Sequence, residues 1–187
     1  MAYKLLITVL LLAFVSWTTA CPRIFTRAEW GARAANTAAL ATNPPTHVVV
    51  HHSATAGCTT QAACMQLVRS FQNFHMDTNG WADIGYNFLI GGNGEIYQGR
   101  GWGRTGAHAP GFNNRSLGIA FIGTFTSGLP PAAAINAFHA LINCSTGNGN
   151  LRTDYWLLGH RQASATACPG NALFNAIQGW PRFTNNP

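Results

Sequence analysis

The sequence predicts an α/β protein in which a mixed β-sheet is flanked by about three helices. Three observations lead there. Thr46–His52 (THVVVHH) is a short β-branched run bounded by Pro45 and Ser53, the pattern of a buried strand. Downstream, the apolar positions Cys64, Leu67, Val68, Phe71 and Phe74 recur at three- and four-residue spacing, which is one face of a helix. Further strand-like runs then interleave with two more helical segments, the order of an α/β sheet rather than of a bundle or a sandwich.

The elements follow in order. After an irregular arm comes the strand Thr46–His52. Thr59 or Thr60 caps the first helix, which runs to about Met76, and Asn79-Gly80 breaks it. Tyr86–Ile90 is the second strand, and Gly91-Gly92-Asn93-Gly94 turns into a short strand at Glu95–Gln98. Leu117–Ile122 is another strand. Pro130-Pro131 opens a helix to about Asn143, Tyr155–Leu158 is the next strand, and a last helix covers about Asn171 to Gly179. No repeat, low-complexity tract or linker interrupts the chain. Residues 21–187 therefore read as one domain with room for a proper core.

Residues 1–20 stand apart. Lys4 supplies a positive start, Leu5–Val15 is an apolar run too short to span a bilayer comfortably, and Thr18-Thr19-Ala20 ends in a small residue. These are the marks of a secretory signal peptide, with Cys21 the mature N-terminus. A signal anchor and a lipoprotein site are the alternatives. Thr18 stands where a lipoprotein site usually carries Leu. With no later apolar run long enough for a membrane helix, a secreted, extracellular, soluble product is expected.

Beyond Lys4, every fixed positive charge is an arginine, scattered rather than clustered. That pattern argues against a nucleic-acid surface and fits a modest attraction to anionic polymers such as cell walls. Asn114-Arg115-Ser116 and Asn143-Cys144-Ser145 are formal glycosylation sequons. Five cysteines is an odd number for a secreted chain. Cys58 and Cys64 are close enough for a local bridge around the helix start. Cys21 and Cys144 could tie the N-terminus to a distant helix, for roughly 4–5 kcal/mol on the chain-entropy model. Cys168 is left over.

Cys168 belongs with the residues that carry chemistry. His51-His52 ends a strand, and successive strand side chains point to opposite faces. One of the two can therefore bind a metal, while the other does something else or tilts into a flanking groove. His160 leaves the strand Tyr155–Leu158, and Cys168 follows across a loop. Two histidines and a thiolate make a three-ligand set with a fourth position open, as in catalytic rather than structural zinc sites. Zinc ligation also explains the unpaired cysteine. Taken alone, the spacing fits buried or surface histidines beside a free thiol as well.

Six segments shift that balance: AEWGAR (28–33), HVVVHHSATAGC (47–58), FHMDTNGWADIGYNFLIGGNGEIYQGRGW (74–102), TGAH (105–108), LGIAFIGTF (117–125) and LLGHRQASATACPG (157–170). In these, from Phe25 to Phe183, the chain resembles peptidoglycan recognition proteins and, more distantly, phage-type N-acetylmuramoyl-L-alanine amidases. The resemblance implies a central, mainly parallel sheet flanked by helices, with a groove on one face. By position it implies zinc ligands His51, His160 and Cys168, a catalytic Tyr86, and Thr166 facing the site. Members that only bind peptidoglycan typically lack a ligand, often with serine at the cysteine position, whereas this sequence keeps all three. The chemistry implied is hydrolysis of the lactyl amide between N-acetylmuramic acid and L-alanine, with Tyr86 and Thr166 assisting by hydrogen bond.

The resemblance also places His52, His75, Gly80, Trp81, Arg100, His108 and Asn113 along a groove for peptidoglycan and muropeptides. Gly80-Trp81 with Arg100 is the combination that accompanies stems carrying meso-diaminopimelic acid, because a guanidinium can pair with the carboxylate that lysine lacks. His47 and His139 match nothing functional. The pairing Cys21–Cys144 rests on arithmetic together with the resemblance. A monomer acting in innate immune defence is expected. Two other readings remain: a non-catalytic receptor using the same groove, and a secreted zinc peptidase, for which no HExxH helix is present.

Overall fold

The computed structural model describes residues 21–187, and the expected signal peptide, residues 1–20, lies outside the described residues. Six strands form one sheet in the order β1 (Ile24–Phe25), β4 (Ile96–Gln98), β3 (Phe88–Ile90), β5 (Ser116–Phe121), β2 (His47–His52), β6 (Trp156–Gly159). Neighbours run parallel except β3 and β4, which are antiparallel. The mixed, mainly parallel sheet expected from the sequence is present. β2 is buried along its whole length because β5 and β6 flank it and both of its faces are covered.

Three longer helices cover the sheet. α2 (Gln61–Asn73) starts at Thr60, whose hydroxyl accepts the Ala63 N–H, and turns Cys64 and Val68 inward. It then widens into a π-helical turn, Phe74–Thr78. α3 (Ala132–Gly147) follows Pro130-Pro131 and runs a turn past the expected end near Asn143. α5 (Asn171–Ile177) closes the chain. Two four-residue helices were not expected: α1 (Arg27–Trp30) in the supposedly irregular arm, and α4 (His160–Ala163). α1 is set by a capping box between Thr26 and Glu29. It buries Trp30, whose indole N–H donates to the Gln98 carbonyl at 2.8 Å.

The faces of the sheet separate by residue parity. Val48 and Val50 pack with Phe88, Leu117, Ile119 and Phe121 against Phe138 and Leu141 of α3 and Leu173 and Ile177 of α5. Val49 points the other way, onto Ala109, Phe112 and Leu158. Beside it, Leu89 and Ala120 meet Cys64 and Val68 of α2. His51 therefore emerges on the side of Val49, and His52 on the side of Val48 and Val50. Both disulfides are formed, Cys21–Cys144 and Cys58–Cys64, and Cys168 is free and buried. Among the described residues, no helix is long and apolar enough to cross a membrane.

Candidate metal centre and groove

The site lies at the carboxyl ends of parallel strands, where α/β sheets open their crevices. Register places Val50 of β2 beside Gly159 of β6. The next residues, His51 and His160, emerge together with ring centroids 4.4 Å apart. The loop after α4 brings in Cys168, so that one donor atom from each of His51, His160 and Cys168 lies within 4.8 Å of the others. Cys168 Sγ is 3.8 Å from His51 Nδ1 and receives the His52 backbone N–H at 3.4 Å.

Several groups hold that loop. The Arg161 backbone N–H donates to the Cys168 carbonyl at 2.9 Å. The Arg161 guanidinium lies over the Phe174 ring and donates to Asn171 Oδ1 and the Ala167 carbonyl. Thr166 is exposed, and its hydroxyl oxygen accepts the Cys168 N–H at 3.2 Å. Gly170 has φ +91°, and a Cβ there would run into the Phe125 carbonyl.

Burial controls the charge of the cluster. It holds His51 well below the usual histidine range, reinforced by His108, His160 and His52, and it lowers His160, reinforced by His52. His108 is lowered to about 3 by burial, with His160 and Arg100 adding to it. All three rings are therefore neutral at physiological pH, with lone pairs available. Burial raises the Cys168 thiol to about 11, against the opposing pull of the His52 N–H and Arg161. A divalent cation would reverse that preference, since a coordinating thiol is deprotonated. Two neutral imidazoles and one sulfur, buried and preassembled, fit zinc by donor type and leave one position open.

Two clefts flank the cluster. One, of about 440 Å³, is lined by Phe71, Phe74, His75 and Tyr86 with Ser53, Thr55 and Ser70 at its rim. The other, of about 340 Å³, is lined by Trp81, His108, Pro110, Asn113 and His160. The Tyr86 ring lies 5.2 Å from that of His51, and burial raises its hydroxyl, with Cys168 adding to the effect. His75 sits on the π-helical turn between Trp81 and Tyr86, its Nδ1 accepting the Gly85 N–H at 3.0 Å. Gly80, at φ +69° with open space before it, turns the chain so that Trp81 stands half-exposed beside His75.

Of the remaining predicted groove residues, Asn113 lines the second cleft, whereas Arg100 and His52, expected in the groove, line neither cleft. Asn113 Oδ1 accepts the backbone N–H groups of His108 and Ala109, closing the TGAH loop on itself. Arg100 lines a polar recess with Arg27, Asp83 and Arg104. Its Nε donates to the Ile84 carbonyl and its Nη1 to the Thr105 carbonyl, both at 2.7 Å, while Nη2 has only the Asp83 carbonyl at 3.4 Å. His52 is buried on the far side of β2, where its Nδ1 accepts the Phe125 N–H at 3.3 Å. Its backbone N–H, not its ring, is what reaches Cys168 Sγ. His47 bonds Thr46 and packs edge-on to Phe112, and His139 packs on Trp180.

Sequence reasoning missed the supports. Asn87 is fully buried and ties Gly118, Gly101 and Arg104 together through backbone bonds. Asp83, also buried, receives Arg27 at 2.8 Å and Gln72 at 2.7 Å, and lines the polar recess with Arg27 and Arg100. A polar residue inside an apolar run, as in Tyr86-Asn87-Phe88, was the available signal for the first.

Comparison with known proteins agrees with this fold. The family model described as N-acetylmuramoyl-L-alanine amidase matches residues 41–171. Peptidoglycan-recognition protein 1 of Holotrichia diomphalia is 44% identical over 167 residues, covering 89% of this chain and 85% of that protein. An N-acetylmuramoyl-L-alanine amidase of Mus musculus is 46% identical over 168 residues, 88% of this chain but 32% of the mouse protein. The solved structure of a tyrosine-to-phenylalanine mutant of Drosophila PGRP-LB in complex with tracheal cytotoxin superposes with a TM-score of 0.86 at 42% identity, covering 87% of this chain and 97% of that one. Built on the same sheet and matched across nearly all of its described length, this chain belongs to the peptidoglycan recognition protein family, with the N-acetylmuramoyl-L-alanine amidase fold.

Proposed function

We propose that the protein is a secreted, zinc-dependent N-acetylmuramoyl-L-alanine amidase of innate immune defence, which binds bacterial peptidoglycan and cleaves the amide between N-acetylmuramic acid and L-alanine. The observation that carries this reading is the complete donor set: His51, His160 and a disulfide-free Cys168 converge within 4.8 Å between two clefts. Removal of residues 1–20 as a signal peptide would release one domain, 21–187, as a monomer. Its partners are peptidoglycan and muropeptides, not nucleic acid or membrane.

In this reading His51, His160 and Cys168 hold the zinc. When bound, zinc polarises an amide carbonyl and lowers the pKa of a water to near neutrality. Tyr86, next to the His51 ring, orients the attacking water or the carbonyl oxygen. The Thr166 hydroxyl already accepts from Cys168, so its own proton is free to donate to the developing oxyanion. His75, Trp81, His108 and Asn113 line the clefts in which the stem peptide lies and exclude water around it. Arg100, at the separate polar recess, is the residue that would meet the extra carboxylate of a diaminopimelate stem through Nη2, its least engaged nitrogen, with Gly80-Trp81 making room. His52 acts through its backbone N–H, which reaches Cys168 Sγ.

The test is hydrolysis of purified diaminopimelate-type peptidoglycan by the mature protein, with zinc and with a chelator, scoring freed stem peptides by mass. Chelator-sensitive release of peptides beginning with L-alanine is expected. Cys168→Ser should abolish release and keep most of the binding to the polymer. Retained turnover in that variant, or binding without release by the unaltered protein, would remove the enzymatic reading, the latter in favour of a receptor.

A further inference from the structure

His108 presents a feature that a groove-lining role does not explain. It is buried, and its Nδ1 lies 3.0 Å from His51 Nε2. Two ring nitrogens at that distance share one hydrogen, so one ring donates and the other accepts. His51 Nδ1, the other nitrogen, faces Cys168 Sγ at 3.8 Å. The ring is thus held with one nitrogen toward the sulfur and one toward His108. On the far side of His108, Nε2 lies 3.5 Å from Ser116 Oγ. The Ser116 hydroxyl donates to the Phe112 carbonyl at 2.7 Å, which leaves its oxygen to accept.

Of the two directions the chain can run, its last link favours one. With Ser116 Oγ accepting, His108 carries its proton on Nε2, and its Nδ1 is an acceptor. His51 must then hold its proton on Nε2, which leaves Nδ1 as a bare lone pair beside Cys168 and His160. The His108 ring fits closely against its neighbours. A Cβ on Gly106 or on Gly118 would collide with the His108 ring, and Asn113 Oδ1 pins the His108 backbone N–H at 2.7 Å.

We propose that His108, backed by Ser116, is a positioning residue that fixes the tautomer and orientation of His51, so that His51 Nδ1 is the ligating nitrogen before any metal arrives. This rests on the metal reading above for its purpose, but not for its test. Outer partners of this kind typically account for 10–100-fold in metal affinity.

Three variants and two readouts test it. In metal-free, ¹⁵N-labelled protein, the long-range imidazole spectrum should report His51 as the Nε2–H tautomer. In His108→Phe that preference should fade, and zinc affinity, measured by competition with a chromophoric chelator, should fall about 10–100-fold. His108→Gln offers a carbonyl oxygen to the same N–H and should restore the tautomer and most of the affinity. Ser116→Ala should weaken both by a smaller factor. Circular dichroism and thermal melts check folding, and if His108→Phe does not fold, the other two variants decide.

An Nδ1–H tautomer at His51 in the unaltered protein would overturn the proposal. So would equal zinc affinity in folded His108→Phe, or a Gln variant no better than Phe. If the unaltered protein fails to take up zinc, the metal reading falls, and the metal-free spectrum still decides the tautomer.

Discussion

At the scale of single residues, the site combines groups that burial has stripped of charge. His75, between Trp81 and Tyr86, has its pKa lowered to about 4, chiefly by burial, with Arg100 adding to the shift and Asp83 opposing it. An unfolded histidine titrates near 6.5. Between those values the unfolded chain binds a proton that the folded chain refuses, so stability rises with pH across the window and falls on acidification from about 6.5 toward 4. His51 and His108 shift in the same direction and act with the same sign. The metal-free protein should melt at a lower temperature near pH 5 than near pH 7, and His75→Gln should narrow the gap. An unchanged gap in that variant would show that His75 is not among the groups responsible. The strand ends and the odd cysteine pointed toward the three donors, but only the family resemblance singled out His51 over His52. Ser116 and Arg161 were not legible in the sequence, because their partners, His108 and the Phe112 carbonyl for one, Asn171 and the Ala167 carbonyl for the other, meet them only in the folded chain.

At the scale of elements, regular segments were legible and their distortions were not. The apolar spacing of α2 holds up to Asn73, but the helix then widens by a residue per turn, burying His75 and leaving Phe74 exposed beside the cleft. Periodicity cannot register such a change within a single turn. The strand expected from Tyr86 begins only at Phe88, since pairing with β4 starts at Phe88–Gln98. The Tyr86 carbonyl is taken by the Arg100 N–H instead. α1 and α4 are too short to show a period, although the Thr26–Glu29 capping box was readable for the first. The loop between α4 and α5 depends on Gly170 for its path. Gly170→Ala meets backbone on one side and a positive φ on the other, with neither free to give. Destabilisation of about 1–3 kcal/mol is expected, read by denaturant unfolding, together with weaker zinc uptake. Full stability in that variant would mean that the loop has another available path.

At the scale of the molecule, the Cys21–Cys144 bridge ties the start of the described chain to α3 across a sequence separation of 123. Closing a loop of that length contributes about 4–5 kcal/mol on the chain-entropy model. Replacing both cysteines with alanine should lower unfolding stability by that order while leaving zinc affinity unchanged, because neither residue touches the cluster. A matching loss of zinc affinity would show that the bridge reaches the site through the sheet.

The histidine pair at the end of β2 has a consequence of its own. A doublet of identical residues cannot tell a metal which member to choose, and a slip of one position along β5 and β6 would offer His52 where His51 now stands. What forbids the slip is the run of valines before the doublet: moving by one residue would turn Val48 and Val50 away from α3 and α5 and bring Val49 into their place. The address of the ligand is therefore written in aliphatic side chains several residues upstream. A substitution that made those valines indifferent to which side they face would scramble the choice of histidine without touching either one.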